Sequence, residues 1–142
     1  MNNLLMNGLK KYQDEALLFA RLGLCFMFVV VHGGPKLFGG PEKWLEVGSL
    51  LKVLGITTMP VFLGFIAAVS EFLGGILIGL GLFTRLGAFM IFATLVVGAA
   101  VMFTMKGLFA AAPATEDALF MLVLMAVGAG KYSLDRKWLG KD

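Results

Sequence analysis

Residues 16–40 read ALLFARLGLCFMFVVVHGGPKLFGG, an apolar run that Arg21 interrupts and that ends at His32, the only histidine in the chain. A run of this length is long enough to cross a membrane as one helix. We predict a first span over residues 16–32, with room for the helix to continue to Phe38. A cleavable signal peptide is the other interpretation, but Arg21, the length of the run and the lack of a small-x-small site before His32 argue against it.

The composition extends this interpretation to the whole chain. Of its 142 residues, 59% are hydrophobic and 15% are charged, whereas about a quarter of the residues of a soluble protein are charged. Four apolar runs reach membrane length, and they leave no room for a soluble domain. We therefore predict an all-α integral membrane four-helix bundle that forms a single four-span domain over residues 1–142. The predicted spans cover approximately residues 16–32, 60–83, 86–105 and 117–132.

The charged residues lie mainly near the ends of these spans. Because of this placement, membrane topology explains the net charge of +3 better than a nucleic-acid partner does, and we expect no nucleic acid. Four spans put both termini on one side of the membrane. That side would carry Lys10, Lys11, Arg85, Lys131, Arg136, Lys137 and Lys141, and the other would carry Lys36, Lys43, Lys52 and Lys106. The positive-inside rule then predicts cytoplasmic termini and an outward-facing loop containing HGGPKLFGG.

The connections between the spans differ in character. Residues 41–55, PEKWLEVGSLLKVLG, have apolar residues at helical spacing, which predicts a short amphipathic helix on the outer membrane surface between spans one and two. The second connection, GLFTRLG, is so short that spans two and three should form a tight hairpin. The third, KGLFAAAPATED, ends in residues that favour the start of the fourth helix, namely Thr115, Glu116 and Asp117.

Arg21 and Glu71 fall within predicted spans, where insertion scales put the cost of a charge at about 2.5 to 3.5 kcal/mol. Helical spacing puts Arg21, Cys25, Phe28 and His32 on one stripe of the first span. Glu71 has mainly small residues on its own face, so it should point into the bundle, with Arg21 as its expected partner. Either the two charges form a structural ion pair that fixes helix register, or they belong to a functional site.

His32 also has two interpretations. It is either an interfacial residue at the end of a span or a member of the same site as Arg21. Lys36, four residues later, would lie beside it if the helix continued, although Pro35 predicts a bend there.

Three further candidate site residues can be explained without a catalytic or binding role. Cys25 is more typical of a buried apolar filler than of a redox centre. Arg85 is explained as a cytoplasmic anchor, and Glu116 as a charge at a helix start. The sequence has no cluster of zinc ligands, phosphate loop, nucleophile elbow or pair of haem histidines. We therefore expect no metal and no self-contained catalytic apparatus.

A series of motifs along the chain resembles the DoxX family. They are Arg21-x-Gly23, HGGPKLFGG, EFLGG from residue 71, GLGLFTRLGA from residue 79 and GKYSLDR from residue 130. The resemblance covers roughly residues 16–136 and implies a small four-helix protein of the bacterial inner membrane. Relatives are linked to redox and detoxification systems, and the family takes its name from a subunit associated with a thiosulfate-to-quinone oxidoreductase.

The family's polar positions correspond to residues of this chain. They are Arg21, His32, Lys36, Glu71, Arg85 and Glu116. Many members carry another histidine near the end of the third span, where this chain reads VMFTMKG, and its absence argues against a metal or two-histidine mechanism.

The leading hypothesis is a redox-associated membrane subunit that binds quinone or a similar small aromatic molecule among Arg21, His32 and Glu71. Glu71 or His32 would pass protons, Arg21 would stabilise negative charge, and a soluble or membrane redox partner would supply electrons, because no cofactor motif is present. A non-enzymatic adaptor or assembly factor, whose buried charges are structural, is the first alternative. A small-solute or proton pathway, which would require a homo-oligomer, is the second.

Overall fold

The computed structural model describes residues 12–140, and Lys10, Lys11 and Lys141 lie outside them. Within this part of the chain, four helices are long and apolar enough to cross a membrane, which confirms the all-α membrane bundle. In chain order the helices are α1 (Gln13–Phe38), α2 (Gly40–Ser49), α3 (Pro60–Leu80), α4 (Thr84–Lys106), α5 (Leu108–Val127) and α6 (Leu134–Leu139). The long helices α1, α3, α4 and α5 correspond to the four predicted spans.

The stretch HGGPKLFGG continues the first helix. The chain is α-helical to Phe26, π-helical over Met27–Gly33 and α-helical again to Phe38, so the continuation to Phe38 is confirmed. Gly33 lies against the backbone of Phe72, since a Cβ added at Gly33 would stand 2.5 Å from the Phe72 nitrogen. Because residues 32–38 are helical and Gly33 packs on Phe72 near the middle of α3, the prediction that HGGPKLFGG forms a loop is wrong. The lack of a side chain at Gly33 lets the two backbones meet there.

The predicted short helix is present as α2 and is extended by a 3₁₀ turn over Leu50–Leu54. One face of it packs along the first turns of α3. A Cβ added at Gly48 would collide with the Pro60 carbonyl, and one added at Gly64 would collide with the Trp44 carbonyl. These close backbone contacts tie α2 to the bundle.

Helices α3 and α4 form the predicted tight hairpin, and α4 and α5 form a second one. Only Gly107 separates α4 from α5, and its φ of 82° suits glycine. The prediction that the fourth helix starts near Asp117 is wrong, because α5 begins at Leu108. The alanine-rich sequence after Leu108 has high helix propensity and continues the helix through Pro113.

The packed core lies toward the end of the bundle where α3 ends and α4 begins. Gly74 of α3 and Gly87 of α4 bring the two backbones together, since a Cβ added at Gly74 would stand 2.8 Å from the Gly87 carbonyl oxygen. The core side chains come from four helices and are Phe28, Ile78, Ala88, Ile91, Met121 and Leu124. Away from this end the helices border a cavity that is partly open to the surroundings of the protein.

Candidate functional site

A cavity of about 640 Å³ is lined by residues of α1 to α5. Most of its lining side chains are apolar, and the polar ones lie in the second half of α1 or near the middle of α3, α4 and α5. They are His32, Lys36, Ser70, Glu71, Thr94 and Asp117. An apolar cavity of this size with a few polar groups has the general form of a small-molecule site.

Lys36 and Glu71 form an ion pair in the wall of this cavity. The Lys36 Nζ donates to both carboxylate oxygens of Glu71, at 2.7 and 2.6 Å. The Glu71 side chain is 5% exposed and that of Lys36 is 27% exposed, so the ammonium is the more accessible member of the pair. Trp44 of α2 donates its indole N–H to the Lys36 carbonyl at 3.0 Å, which fixes the backbone beside the pair. The burial of Glu71 inside the bundle is as predicted, but its partner is Lys36.

His32 lies in the same wall, four residues before Lys36. Its ring packs on Phe28 with 5.5 Å between ring centroids, and the imidazole makes no hydrogen bond to any residue in the range 12–140. Because the helix continues past His32, the expected neighbour relation between His32 and Lys36 holds. The cavity wall thus presents an imidazole and an ammonium close to a buried carboxylate.

Arg21 lies at the opposite end of α1 from this wall and is 1% exposed. Its guanidinium donates to the carbonyls of Ile78 at 3.0 Å and Gly79 at 3.3 Å, at the C-terminal end of α3. It also donates to the carbonyls of Ala129 and, at 2.9 Å, Tyr132, which follow α5. The last carbonyls of a helix have no partner within the helix, and a cation there satisfies them. Arg21 therefore ties α1 to the C-terminal end of α3 and to the segment that follows α5.

The predicted Arg21–Glu71 pair is wrong. Glu71 is two helical turns from Ile78, the α3 carbonyl nearest to it that Arg21 binds, which is about 10 Å along the axis. Lys36 already neutralises the carboxylate. Arg21 and His32 share α1 but serve different ends of it.

Cys25, Arg85 and Glu116 do not join the polar groups of the cavity. The Cys25 sulfur packs on Gly79, where an added Cβ would stand 2.6 Å from it. Arg85 is exposed in the first turn of α4, and Glu116 is exposed on α5. Within residues 12–140 no group of three or more His, Cys, Asp or Glu side chains is placed to hold a metal ion.

Asp117, Ser70 and Thr94 line the cavity but were not singled out by the sequence. In the sequence, Asp117 was explained as a helix-start residue. This explanation does not hold, because α5 begins nine residues earlier, at Leu108. Ser70 and Thr94 are uncharged and common in membrane helices, so nothing in their spacing marked them.

The segment after α5 closes the end of the bundle held by Arg21. The Asp135 carboxylate accepts hydrogen bonds from the backbone N–H groups of Phe83 at 2.7 Å and Thr84 at 3.0 Å, at the start of α4. The Asp14 carboxylate accepts one from the Lys131 N–H at 2.9 Å. The motif GKYSLDR thus holds together the starts of α1 and α4, away from the cavity.

Comparison with known proteins matches the sequence model of the DoxX family to residues 16–105, which is more than half of the chain. The chain belongs to the DoxX family. The match includes His32, Lys36 and Glu71 and ends before Asp117. An uncharacterized protein of Haemophilus influenzae is 37% identical to this DoxX protein over 86 residues, which are 61% of the chain and 58% of the relative. No solved structure matches the chain.

Proposed function

We propose that this DoxX protein binds quinone, or a similar small aromatic molecule, in the cavity and serves as a membrane subunit of a redox system. The observation that carries the proposal is the position of His32 and the Lys36–Glu71 pair in the wall of an otherwise apolar cavity. A flat aromatic ring needs apolar walls, and its carbonyl oxygens need hydrogen-bond donors. The cavity offers both kinds of surface.

Each polar group has a distinct part in the proposed binding. The accessible Lys36 ammonium and the His32 imidazole would donate hydrogen bonds to a ligand oxygen. Glu71, behind Lys36, would balance the ammonium charge. It would exchange a proton with the ligand through Lys36 or through His32. Electrons would come from a partner protein. Arg21 has no part in this scheme, because its N–H groups are engaged by backbone carbonyls.

Trp44 offers a direct test, since it contacts the Lys36 carbonyl and the chain has only two tryptophans. In a Trp138→Phe background in lipid nanodiscs, decylubiquinone should quench Trp44 fluorescence with a saturable component. Gly98→Leu should remove that component, because Gly98 lines the cavity and an added Cβ there meets only open space.

Gly23→Leu is the matched control. Gly23 is exposed on α1, an added Cβ there also meets open space, and the residue does not line the cavity. The control variant should keep the saturable quenching of the parent. Equal saturable quenching in all three proteins, or none in the parent, would contradict the proposed function.

A further inference from the structure

Asp117 occupies a position that the proposed binding of a ring at Lys36 and His32 does not use. It lies on the stripe of α5 formed by Ala110, Pro113, Ala114 and Asp117, which are at helical spacing and all line the cavity. Glu116, its neighbour, is exposed and does not line the cavity. The α5 backbone therefore directs one of two adjacent acidic residues to the cavity.

Asp117 also lies at about the same depth as the other polar groups. It is near the middle of α5, as Thr94 is of α4 and Glu71 is of α3. Helix α4 packs antiparallel to both α3 and α5, so the midpoints of the three helices lie at similar levels. The cavity thus has polar groups from different helices, with α1 and α3 contributing one set and α5 contributing Asp117.

The carboxylate of Asp117 has no protein partner within residues 12–140, in neither a hydrogen bond nor an ion pair. Glu71 differs, because Lys36 neutralises it. A charged group inside a membrane span requires a partner or water. An ionised carboxylate only accepts hydrogen bonds, so whatever meets the half-buried Asp117 carboxylate in the cavity, water or a ligand, is a hydrogen-bond donor.

We propose that Asp117 accepts a hydrogen bond from a hydroxyl group of the ligand, so that the cavity prefers the hydroxyl-bearing quinol form of the ring to the quinone form. This inference rests on the proposed function. A quinol presents one oxygen to the donors Lys36 and His32 and donates its second hydroxyl to Asp117. A quinone has only acceptor oxygens, and a carbonyl facing the Asp117 carboxylate is repelled.

The test compares decylubiquinol with decylubiquinone under anaerobic conditions, by the saturable quenching of Trp44 in nanodiscs. The parent should bind the quinol about tenfold more tightly, the factor expected for one hydrogen bond to a charged group. Asp117→Asn should abolish this preference, because the amide can donate to a quinone carbonyl as well as accept. Asp117→Leu should also abolish it, since leucine provides no acceptor and suits a membrane helix.

Glu116→Gln is the matched control, because it removes a negative charge from the adjacent exposed position and should keep the preference. Equal affinity of the parent for the two forms, or an unchanged preference in both Asp117 variants, would overturn this inference and leave the proposed function standing. If neither form gives more saturable quenching in the parent than in Gly98→Leu, both proposals fail.

Discussion

The Lys36–Glu71 and Lys43–Glu46 pairs have almost the same length but different surroundings. The first joins α1 to the buried Glu71 at 2.6 Å, whereas the second lies within α2 at 2.7 Å, with side chains 39% and 65% exposed. Removing one partner of a buried pair leaves an uncompensated charge, while an exposed pair contributes little. Because the two pairs differ in exposure, the loss of one partner should cost more stability at Lys36–Glu71 than at Lys43–Glu46.

We predict that Lys36→Met lowers the free energy of unfolding by about 3 to 5 kcal/mol, because Glu71 would remain buried without a partner. Lys36→Met combined with Glu71→Leu should recover most of the loss, since both charges are then removed. Unfolding by sodium dodecyl sulfate in mixed micelles would measure both effects. The control Lys43→Met should cost less than about 1 kcal/mol. A loss in the double variant as large as in Lys36→Met would contradict this account.

Sequence reasoning at the residue scale succeeded within helices and failed between them. The neighbour relation of His32 and Lys36 follows from a spacing of four along one helix, and the inward direction of Glu71 follows from its small neighbours. The pairing of Glu71 with Arg21 was wrong, because the register of α1 against α3 depends on close contacts such as that of Gly33. The backbone carbonyls that accept hydrogen bonds from Arg21 could not be predicted either, since every residue has a carbonyl and the sequence does not distinguish them.

At the element scale, the π-helical segment of α1 sets the geometry of the cavity wall. It covers Met27–Gly33 and so includes both Phe28 and His32, and Lys36 follows it by one turn. A π-helical turn holds more residues than an α-helical turn, so it rotates the side chains that follow, and such segments are frequent at functional sites. The contact of Gly33 with Phe72 then fixes the height of these side chains against Glu71.

We predict that Gly33→Ala destabilises the protein by about 1 to 3 kcal/mol, the usual cost of overpacking. The added Cβ would stand 2.5 Å from the Phe72 nitrogen and 2.7 Å from the Phe28 carbonyl oxygen, so α1 and α3 must separate. Separation would lengthen the Lys36–Glu71 pair and weaken the saturable quenching of Trp44. Detergent melting curves would measure the stability. Gly23→Ala, where the added Cβ meets open space, should leave both properties unchanged, and similar effects of the two substitutions would refute the role of this contact.

The ends of the elements were harder to predict than their existence. Glycine and proline residues after His32 favour a loop in sequence, but the chain passes them in a helix because Gly33 packs on α3. The start of α5 was placed at Asp117 because acidic and hydroxyl residues favour helix starts. The alanine-rich segment before it continues the helix, with Pro113 inside it. Because the helix start was expected at Asp117, its position beside the cavity could not be predicted.

At the scale of the whole molecule, the number and class of the helices could be predicted because hydrocarbon thickness sets the length of a span. The cavity could not be predicted from the sequence. Its position depends on where α3 and α4 are in close contact, at Gly74 and Gly87, and on where they are farther apart. Glycine abundance predicts that helices approach one another but gives no position for the contact. The family match covers most of the cavity wall, yet α5 lies beyond it.

The charge distribution of the whole molecule predicts its orientation in the membrane. Because Lys36 is paired with Glu71 in the cavity wall, it no longer counts among loop charges, and the predicted bias becomes seven basic residues at the end of the termini against three at the other. The three are Lys43, Lys52 and Lys106. We propose that both termini lie in the cytoplasm of a bacterial cell and that the connection between α2 and α3 lies outside.

Cysteine labelling tests this orientation in a Cys25→Ala background, which has no other cysteine. Thr57→Cys lies between α2 and α3, and Trp138→Cys lies in α6, and both positions are exposed. In intact spheroplasts a membrane-impermeant maleimide should label Thr57→Cys and not Trp138→Cys. Permeabilisation should make both react, which controls for accessibility of the thiol. If only Trp138→Cys were labelled before permeabilisation, the orientation would be the opposite of the proposed one, with the α2–α3 connection in the cytoplasm.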